Sequence, residues 1–71
     1  MRFDKFIHKI TQIVLDNLSN AQFGVEALAQ IYGMSRSQLF KKIKRATGKS
    51  TSQFIRDVKL EEALKQLKGD D

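Results

Sequence analysis

The sequence predicts an all-α fold, a small four-helix domain, on three observations. Its 71 residues include no Pro and only four Gly, a composition suited to helices joined by short turns. Apolar residues recur at three- and four-residue intervals and do not alternate. Ser-x-x-Gln signatures and single glycines stand where successive helices begin and end. A chain this short forms one domain, 1–71, and buries only about 60% of its unfolded surface. Hydrophobic residues at 41% and charged residues at 30% belong to a folded chain and not a disordered one.

The first helix is predicted from about Asp4 to Leu18. Phe3, Phe6, Ile7, Ile10, Ile13, Val14 and Leu18 form its apolar stripe, and Ser19-Asn20-Ala21-Gln22 breaks the pattern. The second is short, from about Val25 to Tyr32. Gly24 occupies its N-cap, Phe23 and Leu28 are spaced for a hydrophobic staple, and Gly33 ends it with the positive φ of a tight turn. The third opens on Ser35-Arg36-Ser37-Gln38, a capping box flanked by Met34 and Leu39, and runs to about Thr47, with Gly48 after it. The fourth opens on a second box, Ser50-Thr51-Ser52-Gln53. Phe54, Ile55, Val58, Ala63, Leu64 and Leu67 give it an apolar face up to Gly69, and Gly69-Asp70-Asp71 reads as a frayed tail. Two helices separated by Gly33 and Met34, with the longer and more basic one second, make a helix-turn-helix pattern over about 25–47.

The charge is segregated. Residues 1–33 carry three bases and three acids, and residues 61–71 carry two bases and four acids. Residues 34–60 carry eight bases against Asp57 alone, a local net of +7 in a chain of net +5. A positive field confined to one segment points to an anionic partner. On a helical wheel Leu39, Ile43 and Ala46 of the third helix share the core side, while Ser37, Lys41 and Lys44 lie opposite, flanked by Gln38 and Arg45. An exposed helix with such side chains matches the major groove of DNA. Lys41, Ser37 and Gln38 are the types that meet base edges. Arg36, Lys42, Lys44, Arg45, Lys49 and the N-terminal Ser35 are candidates for phosphates. Phe40 lies at a boundary angle, placed either to meet a thymine methyl or to pack on the fourth helix.

Several function classes are set aside. With no Cys and His8 as the single histidine, neither thiolate chemistry nor a tetrahedral metal site can be assembled. No nucleophile–base pair, phosphate-cradling Gly-rich loop or paired carboxylate stands out, so no enzyme, cofactor or small-molecule ligand is expected in this segment. The longest apolar run, Ile13-Val14-Leu15, is too short for a membrane span or signal-peptide core, and an intracellular protein is expected.

The run FGVEALAQIYGMSRSQLFKKIKRATGKSTSQFIRDVKLEEAL resembles the first helix-turn-helix unit of the AraC/XylS transcription regulators. The matching features are L-A-x-x-x-G-M-S at the turn, L-x-x-x-I-K near the end of the third helix, T-G-x-S, and F-I-R-x-x-K-L-x-x-A. The likeness covers about residues 6–67. It implies a homeodomain-like trihelical core followed by a long connecting helix over about 51–68. It also implies a recognition helix whose Ser37, Phe40 and Lys41 read bases, and a phosphate backbone near Lys44 and the T-G-K-S loop. S-R-S-Q-L with K-I-K-x-x-T-G is similar to output domains of bacterial hybrid two-component regulators. Members of the family carry a second such unit, absent here, so the expected partners are double-stranded DNA and a second unit or dimer partner, in the cytoplasm at the bacterial nucleoid. The alternative is a helical protein-interaction module that dimerises through Val58, Leu60, Leu64 or Leu67 without touching DNA.

Overall fold

A computed structural model describes residues 2–69, with side chains from residue 5 to residue 67. The chain is all-α: α1 spans Arg2–Asp16, α2 Val25–Tyr32, α3 Arg36–Thr47 and α4 Thr51–Gly69, with no strand among the described residues. Every pair of helices is in contact. One cluster fills the centre: Phe6, Ile10 and Val14 from α1, Phe23 before α2, Leu28 and Ala29 from α2, Leu39 and Ile43 from α3, and Phe54, Ile55 and Val58 from α4. Ile10, Val14, Leu28, Leu39 and Ile43 have no exposed surface, so each helix is held by at least one residue withdrawn from water or nearly so.

The joints follow local rules. Gly33 sits at φ 90° and ψ 35°, and the Gly33 and Met34 amides both donate to the Ala29 carbonyl, at 2.9 and 3.0 Å. A residue with a Cβ resists that left-handed conformation. Gly48 repeats the device after α3 at φ 78°, its amide 2.8 Å from the Lys44 carbonyl. Phe23 and Leu28 are both buried, as a staple requires, and Leu39 is buried beside half-buried Met34. A ring ladder ties α1 to its neighbours: Phe6 meets Tyr32 edge-to-face at 5.4 Å, Lys42 of α3 lies 4.9 Å from the Phe6 ring centre, and Lys9 lies 5.8 Å from that of Tyr32.

Three expectations are corrected. First, α1 stops at Asp16 and not at Leu18. The Asn17 amide turns back to Val14 and its side chain donates to the Ile13 carbonyl at 2.8 Å, closing the helix end with a local bond that competes with another helical turn. Leu18 is left 37% exposed. Second, both capping boxes are half made. Ser35 Oγ accepts from the Gln38 amide and Ser50 Oγ from the Gln53 amide, each at 3.2 Å. The reciprocal glutamine bond is absent in both, and Gln53 Nε2 reaches forward to Asp57 at 2.8 Å instead. Third, α4 does not have one apolar face. Phe54, Ile55 and Val58 are buried, whereas Ala63, Leu64 and Leu67 are exposed together with Leu60. At 100° per residue the Leu60–Leu64–Leu67 stripe points roughly 160–200° away from the buried one, so the second half of α4 turns its leucines away from this core. Phe3 and the Asp70–Asp71 tail of the sequence-based expectations lie outside the described side chains.

The buried core and the exposed stripe of α4 separate in a stability measurement. Leu28→Ala empties a fully buried site and is expected to cost about 2–5 kcal/mol, enough to leave so small a domain largely unfolded, while Leu64→Ala stays within about 0.5 kcal/mol. Urea denaturation of the two variants checks this. Equal losses would mean that the stripe is covered.

Candidate nucleic-acid interface

The α3 surface is set by what α3 must bury. Leu39 and Ile43, four residues apart, are sealed in the core, and Ala46 follows half-buried. The opposite face is thereby forced outward, and Ser37, Gln38, Lys41, Lys44 and Arg45 are all exposed on it. Arg36 and Phe40 leave on the side toward the start of α4, and Lys42 on the side toward α1. No acidic residue lies within α3, so nothing along the helix neutralises this face.

Two hollows border it. One, of about 360 Å³, is lined by Met34, Gln38, Lys41, Lys42 and Arg45. The other, of about 380 Å³, lies between α3 and α4 and is lined mainly by Arg36, Ser37, Phe40, Ser50, Thr51 and Ser52. Phe40 is 44% exposed there. It stands beside the first residues of α4, partly open to solvent.

The cations differ in what already holds them. Lys44 Nζ donates to the Gly48 carbonyl at 3.1 Å, where a positive charge also opposes the negative end of the α3 dipole. Lys42 rests over Phe6. Lys49 forms an ion pair with Asp57, which also accepts from Gln53. The Lys49 ammonium and then the Gln53 amide hold the Asp57 carboxyl below its ordinary value of 3.8. Lys41, Arg36 and Arg45 have no hydrogen-bond or ion-pair partner among the described residues. Ser35 acts as the N-cap of α3, its oxygen accepting from Gln38. All ten sequence-derived candidates therefore lie on or beside α3, and the structure ranks the phosphate set: Arg36 and Arg45 are uncommitted, while Lys42, Lys44 and Lys49 each have an internal contact to give up or share.

Sequence reasoning missed the contribution of α4. Thr51 and Ser52 read in the sequence only as a helix start, yet with Ser50 they form one wall of the hollow that holds Phe40. It also missed the neutralisation of Lys49, whose signal was present: Asp57 is the one acid in the basic segment. His8 is exposed on α1. No group of three or more metal-ligating side chains occurs among the described residues, and no helix is long and apolar enough to cross a membrane.

The chain is similar to a protein of Formosa agariphila named histidine kinase P4, with 39% identity over 64 residues. The match covers 90% of this chain and spans 5% of that protein's length. No family model matches the chain, and no solved structure does.

Proposed function

We propose that this chain is a DNA-binding module of a bacterial transcription regulator of the AraC type, with α2, the Gly33 turn and α3 as its helix-turn-helix and α3 in the major groove. One observation carries the proposal: a helix with no acidic residue, packed through Leu39 and Ile43, presents Ser37, Gln38, Lys41 and Arg45 together on its exposed face. Such a face offers charge to phosphates and hydrogen bonds to base edges at once. Lys41 is the central base-reading cation, with Ser37 and Gln38 beside it and Phe40 placed for an apolar contact. Arg36 and Arg45 hold phosphates, supplemented by Lys42, Lys44, Lys49 and Ser35 at the edges. Similarity to a protein named as a histidine kinase supports placing the module in two-component signalling.

A second reading rests on a separate observation. The exposed Leu60, Leu64 and Leu67 form an unpartnered apolar stripe, the mark of a helix that docks another protein surface. It is compatible with the first, because the stripe and the basic face belong to different helices.

Fluorescence anisotropy with a mixed-sequence duplex tests the DNA-binding reading. With about four to six phosphates neutralised, the log–log dependence of affinity on salt should have a slope of about −4 to −5. A small module should bind weakly alone. On a duplex selected from a random pool, Lys41→Ala should lose about 1–3 kcal/mol and lose less on random DNA. Equal losses on both would make Lys41 a phosphate contact only, and no binding at low salt would sink the reading.

The Lys49–Asp57 pair gives an independent check. A depressed carboxylate pKa means the pair is intact above the ordinary value and is lost as pH falls through the lowered one, so at pH 7 Asp57 withholds Lys49. Asp57→Asn frees it and raises the net charge by one. Affinity at low salt should rise and the salt slope should steepen by up to about 1. An unchanged slope would place Lys49 away from the phosphates.

A further inference from the structure

The second half of α4 lacks a partner on every side. Each residue from Ala63 to Leu67 is exposed, although a helix is ordinarily held by packing along one face. Leu60, Leu64 and Leu67 follow at spacings of four and three, the d, a and d positions of a heptad. At 100° per residue Arg56 and Glu61 lie on opposite flanks of that stripe, at a g position and the e position that follows it. Both are exposed, and neither has a hydrogen-bond or ion-pair partner among the described residues. Charges so placed meet across two parallel helices and set which partner is accepted and in which direction. A second copy laid parallel to the first therefore puts leucine against leucine and makes the Arg56–Glu61 match twice. Antiparallel pairing sets g against g and loses the match. One turn before Leu60 the seam position is held by Asp57, whose carboxyl is already engaged by Lys49 and Gln53, so the contact begins at Leu60.

We infer that this stripe is the seam of a parallel, two-fold-symmetric homodimer. Leu60, Leu64 and Leu67 meet their counterparts, and Arg56 of each copy pairs with Glu61 of the other. The inference rests on the reading of the stripe as a docking surface and names its occupant. Because α4 begins beside Arg36, Ser37 and Phe40 of α3, a parallel pair carries both basic faces at one end of the dimer, an arrangement suited to a two-fold-symmetric duplex site. The seam is little longer than one heptad, so association is weak and is read at high protein concentration.

The test is sedimentation equilibrium of the whole chain over a range extending to millimolar concentration. A monomer–dimer equilibrium is expected, weakened about tenfold or more by Leu64→Ala. Arg56→Glu and Glu61→Arg should each weaken it roughly three- to tenfold, because each makes both cross-pairs like-charged. An equimolar mixture of these two variants restores opposite charges in both pairs and should associate as the parent does. Lys65→Ala, off the seam, serves as the control. All four substituted positions are exposed, so the core is left intact.

A chain that stays monomeric throughout the range overturns the inference, as does self-association indifferent to Leu64→Ala. Sensitivity to Leu64→Ala without recovery in the mixture overturns the parallel seam and leaves the stripe as a docking surface. If Leu64→Ala destabilises the dilute chain as much as Leu28→Ala does, the docking reading itself is removed.

Discussion

The arrangement depends on burying Leu39 and Ile43. They are the anchors of α3, a helix otherwise so polar that in isolation it would have little reason to hold a fixed orientation. Anchored four residues apart, α3 can rotate very little about its axis before one of them meets water. The outward direction of Ser37, Lys41 and Arg45 is therefore a consequence of core packing and needs no interaction of its own. Gly33 supplies the complementary constraint. Its left-handed turn lets α3 begin with only three residues between it and α2, so the two short helices share Leu28, Ala29, Leu39 and Ile43 in one core. The basic face is presented by hydrophobic means.

Much of this was legible in the sequence because its causes are local. A glycine requiring positive φ, a serine whose hydroxyl caps an amide three residues on, and a 3.6-residue period each depend on a few neighbouring residues, and they place α2 and α3 at the observed boundaries. What was not legible depends on competition or on distance. The end of α1 is decided by Asn17, whose amide and side chain bond back to Val14 and Ile13 in place of another helical turn. The second halves of the capping boxes fail, and for Gln53 the reason is a rival acceptor, Asp57, one turn further on. The apolar positions of α4 look like one face only if the helix is assumed to have one partner. Periodicity gives the angles, but the direction of the core comes from the other three helices.

The same distinction applies to the charged groups. Net charge per segment is readable from the sequence, but the charge available to a ligand is not, because it depends on what each ammonium already touches. Lys44 opposes a helix end, Lys42 lies over a ring, and Lys49 is paired with a carboxylate. These contacts are exposed and individually weak. They do not remove the positive field, which sums over all the bases whatever their short-range contacts. They do decide which side chains are free to adopt a new geometry at little cost. Lys41, Arg36 and Arg45 are, and all three border the hollows flanking Phe40 and Met34 with no internal bond to break.

α4 unites the two readings of function. Its first turn reaches the hollow beside α3, its middle closes the core through Phe54, Ile55 and Val58, and its second half carries leucines that face away from everything described. A helix serving only to close the core would have no use for the leucines, since an exposed Leu at 58%, 51% or 70% gains little from burial. A helix serving only to dock a partner would not need to contact α3. Because one helix carries both the core residues and the leucine stripe, a surface bound at that stripe would be held at a fixed angle to the basic face. If the basic face binds DNA as proposed, a second such module docked on the stripe would raise the affinity of the first by tethering, with no further contacts in the groove.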